Sequence, residues 1–241
     1  MITYENWHQP PFPDIPAPGG KEGSLAVLRW AYETYGDDLV YACSFGAESM
    51  VMLDLITTVY PDAHVVFLDT GLHFKETYET IDAVKERFPS LNIKLKTPEL
   101  SVAEQAEKYG DELWKHQPNR CCYYRKVKPL EDTLSGATAW ISGLRREQSP
   151  SRANTEVISK DERFQSVKVC PLVNWTWDDI WAHIKEEQLP YNRLHDEGYP
   201  SIGCAPCTTP SDDPHSRKGR WAAFDTKSEC GLHVNLDNTN A

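Results

Sequence analysis

The chain has 241 residues, of which 40% are hydrophobic, so it can bury a substantial core as one domain or as a domain with a functional tail. Its 25 basic and 36 acidic residues give a net charge of -11, which argues against a general binder of nucleic acid or of anionic membranes. No apolar run approaches the roughly 18 residues of a membrane span, and residues 1–20 lack the order of a signal peptide. We therefore expect a cytoplasmic protein with no nucleic-acid partner and no membrane partner.

The pattern of apolar residues predicts alternating strands and helices after a proline-rich, extended arm. A strand at 39–43 runs into the polar turn 44–49 and then into a helix at 50–59, because strand formers give way to an apolar stretch of helical length. The same order of strand, polar turn and helix recurs over residues 64–88. Further helices are predicted at 23–35, 102–109 and 176–188, and further strands at 92–95 and 139–143. This alternation favours an α/β fold with a parallel sheet that helices cover on both faces.

The composition and the apolar pattern of the sequence change towards its C-terminal end. No long periodic element follows Tyr199, and Gly, Pro, Ser and Asp dominate residues 198–213. We interpret this part as an irregular, mobile tail, a setting in which catalytic residues are common. The predicted organisation is an N-terminal arm at 1–22, an α/β domain at 23–208 and a catalytic tail at 209–241.

Three polar turns follow predicted parallel strands, at 44–49, 69–71 and 143–146. Because the carboxyl ends of parallel strands meet at one edge of a sheet, these turns should converge on one crevice. Ser44, Gly46 and Ser49 suit a loop that wraps an anion with backbone N–H groups and hydroxyls at the start of a helix. The alternative is an ordinary helix N-cap, since serine is common at that position.

Four of the seven cysteines occur as two pairs, Cys121 with Cys122 and Cys204 with Cys207. Four thiolates are the number that completes tetrahedral sites on an iron–sulfur cluster or on zinc. Directly adjacent ligands are awkward for one zinc ion and more natural on separate irons. The basic residues beside the first pair, which can offset the charge of thiolates or form a solvated helix face, are Arg120, Arg125, Lys126 and Lys128.

The other three cysteines differ in their surroundings. Cys43 and Cys170 each lie in an apolar run with no second cysteine nearby, which indicates buried, inert packing. Cys230 lies in a polar segment three residues before His233, and an exposed thiol in that setting is a candidate nucleophile. Upstream, Arg217 and Arg220 are candidate clamps on a doubly charged group.

Taken together, these motifs resemble the adenylylsulfate and phosphoadenylylsulfate reductase family over residues 39–233. The motifs that carry the resemblance are the loop 44–49, Leu68-Asp69-Thr70-Gly71, the cysteine pair with Lys126 four residues later, Gly143-Leu144-Arg145-Arg146, the later CxxC, and Glu229-Cys230-Gly231-Leu232-His233. The resemblance implies an ATP pyrophosphatase-like fold, of the adenine nucleotide alpha hydrolase-like kind, with a modified phosphate loop.

The resemblance also implies an activity, the thioredoxin-dependent reduction of adenylylsulfate to sulfite and AMP in sulfate assimilation, which supplies cysteine biosynthesis. The Cys230 thiolate would attack the sulfur of the sulfate group, release AMP and leave an S-sulfocysteine. A separate thioredoxin or glutaredoxin would then free sulfite. The double cysteine plus CxxC marks the branch with a [4Fe-4S] cluster, here on Cys121, Cys122, Cys204 and Cys207.

The same resemblance assigns roles to the remaining motif residues. Cys230, His233 and Lys126 are the implied catalytic residues. The implied substrate-binding residues are Ser44, Phe45, Gly46, Ser49, Asp69, Thr70, Gly71, Arg145, Arg146, Arg217 and Arg220.

Two alternatives remain open from the sequence. The substrate could be phosphoadenylylsulfate, or both nucleotides could serve, because the pocket for a 3′-phosphate is not readable. A protein of another class, a zinc-stabilised ATP pyrophosphatase-like protein in which Cys230 is incidental, would also carry four paired cysteines. The sequence does not decide between a monomer and a homo-oligomer.

Overall fold

The computed structural model describes residues 1–8, 20–224, 227, 229 and 231–232. Within them, six strands form one sheet in the order β3-β2-β1-β4-β6-β5. The strands are β1 (Leu39–Cys43), β2 (His64–Leu68), β3 (Asn92–Lys96), β4 (Ala139–Ile141), β5 (Ile158–Asp161) and β6 (Ser166–Val169). All pairs are parallel except β5 with β6, which are antiparallel at one edge. The predicted α/β class is confirmed, and strands β5 and β6 are additions to the four predicted strands.

Helices follow most strands. They are α1 (Lys21–Tyr35), α2 (Ala47–Val59), α3 (Lys75–Arg87), α4 (Val102–Tyr109), α5 (Leu113–His116), α6 (Pro118–Cys122), α7 (Lys128–Leu134) and α8 (Trp177–Glu186), with a π-helical turn at Tyr123–Val127. Capping boxes start α4 at Ser101 and α8 at Thr176, where a hydroxyl accepts from a backbone N–H of the first turn. In the described part of the chain, no helix has the length and apolarity needed to cross a bilayer.

Both faces of the sheet are covered, as predicted. On one face Tyr41 and Cys43 of β1 pack in the larger core cluster, together with side chains of α1, α2 and α8. On the other face Val40 packs with Leu130 and Leu134 of α7. Successive residues of a strand point to opposite faces, so a strand that is apolar at every position needs helices on both sides.

The order of the strands locates the crevice. From β1 the chain proceeds to β2 and β3 on one side, whereas β4 lies on the other side of β1. Ligands of open α/β sheets bind outside the carboxyl ends of strands at such a switch point. The turns after β1 and β4 therefore form the floor of the expected site.

The segment after residue 199 is irregular, as predicted. Apart from isolated bridges, its described part holds one 3₁₀ turn, Ala205–Cys207. It nevertheless packs on the domain, since Trp221 is buried. The division into an arm, a domain and a tail stays a prediction.

Candidate active site

A cavity of about 190 Å³ lies at the carboxyl ends of β1 and β4. Ser44, Gly46 and Ser49 of the predicted anion loop line it. The Ser44 and Ser49 hydroxyl oxygens lie 3.1 Å apart, so the hydroxyls brace the loop. The N-cap of α2 is Gly46, and no side chain caps the helix. The alternative of an ordinary serine N-cap is therefore wrong, and the start of α2 faces the cavity.

Phe45 plays a different part in this loop from the one predicted. Its φ is 54°, a left-handed conformation that is unusual for a bulky residue and that bends the loop sharply. Its ring is buried and packs edge-on against Phe67, with ring centroids 5.3 Å apart. The side chain of Phe45 therefore points into the core and does not line the cavity.

The two neighbouring arginines after β4 take opposite directions. Arg145 is buried and lines the cavity, with Nη2 3.0 Å from Glu48 Oε1 and Nη1 2.7 Å from Glu147 Oε2. Arg146 turns away, and its Nε donates to the Thr155 carbonyl at 2.8 Å. The prediction that Arg146 faces the nucleotide is not supported, because that side chain is committed to the loop behind the site.

Three predicted cations come together on one wall of the cavity, Lys126, Arg217 and Arg220. Arg220 Nη1 donates to the Ile202 carbonyl at 3.2 Å, and Arg217 Nη1 lies 3.4 Å from Ser201 Oγ. These contacts hold the two guanidinium groups against Ser201 and Ile202. The wall can stabilise an anionic group, because charges in a partly dry site interact more strongly than in water.

The turn after β2 does not converge on this cavity as predicted. The Asp69 carboxylate accepts from the Gly71 N–H at 3.0 Å and from the Tyr78 hydroxyl at 2.7 Å. Asp69, Thr70 and Gly71 are absent from the cavity lining, to which β2 contributes Phe67 and Leu68 instead. In this structure the turn supports the loop structure, and the substrate contacts of Asp69, Thr70 and Gly71 stay a prediction.

A second, smaller cavity of about 20 Å³ is lined by all four paired cysteines, Cys121, Cys122, Cys204 and Cys207. The four thiols lie near one another, because burial first and then Cys122, Cys204 and Cys207 raise the pKa of the Cys121 thiol. The cavity thus brings together four thiols, the number that completes the tetrahedral sites of an iron–sulfur cluster or of zinc.

The basic residues beside the first cysteine pair divide into two kinds. Arg125, in the π-helical turn, is buried, and its guanidinium donates to the Thr70 carbonyl at 2.5 Å and to Gln105 Oε1 at 3.1 Å. Lys128 is exposed and pairs with Asp132 at 3.3 Å. The interpretation as a solvated helix face is wrong for Arg125 and right for Lys128. A π-helical turn often marks a functional site, since it re-aims the side chains within a helix.

Cys43 and Cys170 are buried in the core, which confirms their predicted packing. Burial raises the pKa of the Cys43 thiol to about 12 and that of the Cys170 thiol to about 11. Both groups are therefore neutral, inert thiols at physiological pH.

The predicted nucleophile Cys230 and its neighbour His233 lie outside the described residues. The residues on either side of Cys230 are held in place. The Glu229 carboxylate accepts from Arg152 Nε at 2.8 Å and Nη2 at 2.7 Å. The Gly231 carbonyl accepts from Arg163 Nη1, and Leu232 lines the large cavity.

Comparison with known proteins identifies the family. The profile of the phosphoadenosine phosphosulfate reductase domain matches residues 38–210. This chain belongs to that family. It is 62% identical to the adenosine 5'-phosphosulfate reductase of Staphylococcus haemolyticus, covering 97% of this chain and 96% of that protein. It is 60% identical to adenosine 5'-phosphosulfate reductase 1 of Bacillus subtilis, covering 97% of this chain and 100% of that protein.

Solved structures agree on the fold. The phosphoadenylyl-sulfate (PAPS) reductase of Candida auris, in a phosphate complex, matches with a TM-score of 0.67 and 32% identity, covering 77% of this chain and 90% of that one. The FMN adenylyltransferase of Candida glabrata matches with a TM-score of 0.59 at 15% identity, covering 87% of this chain and 70% of that one, and this likeness concerns the fold alone. The reductase-family chain therefore has the predicted ATP pyrophosphatase-like fold.

Glu48, His73 and Arg152 are among the residues of this family member's site that sequence reasoning missed, and all three line the large cavity. Burial acts to raise the pKa of Glu48, but the charge of Arg145 and the hydrogen bonds to the carboxylate outweigh it, so that the pKa is lowered. Glu48 lies inside the loop 44–49 of the sequence analysis, whereas Arg152 lies outside its motifs. Their pairing across the site, however, has no local signature.

His73 presents a neutral ring to the cavity of the reductase. Its Nε2 donates to the Leu68 carbonyl at 3.1 Å, which leaves Nδ1 as an acceptor. Burial and, next, the charge of Lys126 lower the pKa of His73 to about 4. The backbone of His73 also bridges to that of Cys204, so this residue joins the cavity to the cysteine set.

Proposed function

We propose that this protein is an oxidoreductase that converts adenylylsulfate to sulfite and AMP in assimilatory sulfate reduction, with a thioredoxin or glutaredoxin as reductant. The observation that carries the proposal is a shared wall. Lys126, Arg220 and Trp221 line both the large cavity and the small cavity of the four cysteines. A bound anion and a metal centre would thus contact the same two cations, an arrangement suited to chemistry on a sulfo group.

The large cavity supplies what an adenylylsulfate anion needs. The N-terminus of α2 and the loop 44–49 offer backbone N–H groups to a phosphate. Lys126, Arg217 and Arg220 line the same cavity, where they would hold the sulfate group. Attack by one anion on another is slow in water, and fixed positive charge in a partly desolvated site lowers that barrier.

The reaction balances without a further oxidant. The Cys230 thiolate donates an electron pair to the sulfate sulfur, and the bond between that sulfur and the bridging oxygen breaks, so that AMP leaves with the bond pair. The product is an S-sulfocysteine. A dithiol protein then attacks the Cys230 sulfur, sulfite leaves, and the second thiol of the reductant closes its own disulfide and frees Cys230.

The four cysteines fit a [4Fe-4S] cluster. All four line one small cavity, and adjacent residues Cys121 and Cys122 can each serve a different iron. The buried guanidinium of Arg125 adds positive charge beside the thiolates. When bound, the cluster would supply a fixed charge distribution behind Lys126. The protein groups would do the rest, since thiol exchange needs no change of metal oxidation state.

Incubation with adenylylsulfate in the absence of reductant, followed by intact mass and peptide mapping, tests the proposal. We expect a mass gain of one sulfo group on Cys230, release of AMP, and neither product in Cys230→Ser. A C170S variant is the matched control and should gain the group normally, since Cys170 is buried away from the cavity. A sulfo group on another residue, or none, would refute the assignment.

Reduction of phosphoadenylylsulfate is the second candidate, since the matched family profile and the Candida auris structure bear that name. We favour adenylylsulfate because the relatives at 60% and 62% identity are named for it. Steady-state turnover on both nucleotides under the same conditions distinguishes the two. A higher kcat/KM for the 3′-phosphorylated nucleotide would overturn our preference. The expected setting is the cytoplasm, where thiols are kept reduced.

A further inference from the structure

The indole N–H of Trp114 is a buried donor for which the described residues provide no acceptor. Less than 1 Å² of the nitrogen surface is exposed, so water cannot satisfy it instead. An indole offers one donor and no acceptor. Buried polar groups are hydrogen-bonded as a rule, so an exception in a native site indicates a partner that the polypeptide itself does not supply.

Trp114 lies in the wall of the small cavity that the two cysteine pairs line. It belongs to α5, and Cys121 follows seven residues later in α6. Gln117, between the two helices, has φ −138° and ψ 67°, so the chain turns there. The Gln117 N–H donates to the Leu113 carbonyl at 2.8 Å, and the Cys121 N–H donates to the Gln117 carbonyl at 3.0 Å. Backbone hydrogen bonds thus tie the position of the indole to that of the first cysteine pair.

The second cysteine pair is held at the same cavity by backbone contacts of its own. The Ala205 N–H donates to the carbonyl of Leu72 at 2.7 Å, and Leu72 lines the cavity beside Trp114. The Cys207 N–H donates to the Cys204 carbonyl at 3.0 Å. The indole and both cysteine pairs therefore belong to one fixed framework.

Arg125, in the same wall, has the acceptors that Trp114 lacks. Its Nε donates to the Thr70 carbonyl at 2.5 Å, and its Nη1 donates to the Leu100 carbonyl at 3.2 Å and to Gln105 Oε1 at 3.1 Å. The polypeptide therefore supplies acceptors to this buried guanidinium, but none to the indole.

Arg220 resembles Trp114 in one respect, since its Nε also lacks an acceptor among the described residues. Arg220 lines both cavities, however, and can meet a substrate anion in the large one. Of the two cavities, Trp114 lines only the small one. The missing partner of the indole N–H therefore belongs to the cysteine cavity.

Sulfur chemistry indicates what that partner is. No cysteine sulfur among the described residues accepts from Trp114 Nε1, and a neutral thiol is a weak acceptor in any case. A zinc ion on four thiolates brings no acceptor of its own. A [4Fe-4S] cluster brings inorganic sulfides, and anionic acceptors form the stronger, charge-assisted hydrogen bonds. The buried donor therefore favours a cluster over zinc.

We propose that Trp114 is a positioning residue for the metal centre, whose indole N–H donates to an inorganic sulfide of a [4Fe-4S] cluster held by the two cysteine pairs. The inference rests on the cluster of the proposed function, but not on the substrate or on Cys230. Hydrogen bonds from outer groups orient a metal centre and tune its bonds and its reduction potential. Trp114 thereby holds the cluster from the side of α5.

Resonance Raman spectra of the holoprotein in H₂O and in D₂O test this hydrogen bond, because a bond from N–H to cluster sulfur alters the Fe–S stretching bands. The bands of the wild type should shift on deuteration. Trp114→Phe keeps an aromatic ring but removes the donor, so it should lose part of that shift. It should also release iron to a chelator about threefold faster, as expected for the loss of one net hydrogen bond.

Two comparisons separate the donor from the packing of the ring. Trp114→His retains a ring N–H and should recover part of the deuterium shift and of the iron retention. Assembly of the cluster in Trp114→His but not in Trp114→Phe would support the same conclusion. The control is Trp7→Phe, since Trp7 packs against the larger core cluster and lines neither cavity, and it should match the wild type.

The outcomes distinguish this inference from the proposed function. Wild-type bands that do not shift in D₂O overturn the role of Trp114, and so do equal shifts in the wild type and in Trp114→Phe. Equal losses in Trp114→Phe and Trp114→His do the same, because they show packing alone. If such a protein still forms sulfite from adenylylsulfate, the proposed function stands. A shift that only the donor-free variant loses, in a protein that forms no sulfite, supports Trp114 and refutes the proposed reaction.

Discussion

The Thr70 hydroxyl lies 3.4 Å from the sulfur of Cys204, and both groups are buried. This contact connects the turn after β2 to a cysteine 134 residues further along the chain. It explains why the turn 69–71 stands behind the cysteine cavity instead of lining the large one. Hydrogen bonds to metal-bound sulfur stabilise the thiolate and raise the reduction potential of a cluster.

Thr70→Val tests that contact. Valine keeps the shape but removes the hydroxyl, so we expect a lower reduction potential of the proposed cluster and faster loss of its visible absorbance in air. The measurement is the absorbance decay of the holoprotein with redox titration. Thr80→Val is the control, because Thr80 is equally buried but its hydroxyl bonds only to the Glu76 carbonyl of its own helix. Equal decay in both variants would contradict the assignment.

Lys126 and Lys128 form a matched pair for testing the shared wall. Lys126→Gln should lower kcat for sulfite release by about 100-fold, because it removes a cation that lines the cavity in which the sulfo group would bind. Lys128→Gln breaks an exposed ion pair with Asp132, which contributes little to stability, and should leave kcat unchanged. Steady-state kinetics on adenylylsulfate gives both values. A similar loss in the two variants would argue against a specific role for Lys126.

The cysteine assignments predict that one of two alanine variants loses the brown colour of the protein and that the other keeps it. Cys204→Ala removes a proposed ligand, so the purified protein should lose the brown colour and the visible absorption of the cluster. Cys170→Ala should keep both and lose only about 1 kcal/mol of stability from the small cavity it leaves. Iron analysis beside the spectra completes the test. A colourless wild type with one zinc would refute the cluster itself.

The sequence predicted the fold well where the signal was local. Strands β1 and β2 are short runs rich in apolar residues, as burial on both faces of the sheet requires. Helices α4 and α8 carry capping boxes. The positions of these four elements therefore followed from local sequence patterns alone. Strand β3 was found too. The edge strand β5 was missed because only its pairing with β6 makes it a strand, and no period of two is visible in its four residues.

The site was predictable in its residues but less so in its contacts. Motif positions such as Ser44, Lys126 and Arg220 do line the cavity. Of these, Ser44 directly follows a predicted strand, β1. Arg146 and Phe45 turned away because their side chains found partners in the loop behind and in the core. The pairing of Arg152 with Glu229 spans 77 residues of sequence, so only the folded chain brings the two together.

The Glu48–Arg145 contact predicts a dependence of stability on pH. Arg145 and the hydrogen bonds to the Glu48 carboxylate lower its pKa in the folded protein, against the effect of burial, while the unfolded chain keeps the ordinary value of about 4.3. A carboxylate with a lowered folded pKa stabilises the fold above the unfolded pKa, and that contribution disappears as pH falls through the folded pKa. The wild type should therefore lose this stabilisation below about pH 4.3.

Glu48→Gln isolates this contribution. At pH 7 the variant should be less stable by about 1.5–3 kcal/mol, the usual cost of losing hydrogen bonds to a charged group, and Tm should fall by several degrees. The difference from the wild type should shrink as pH drops from 5 to about 3. Urea unfolding across that range measures it, with the exposed Glu86→Gln as a control that should match the wild type throughout. A difference that is independent of pH would show that Glu48 acts by packing and not by its charge.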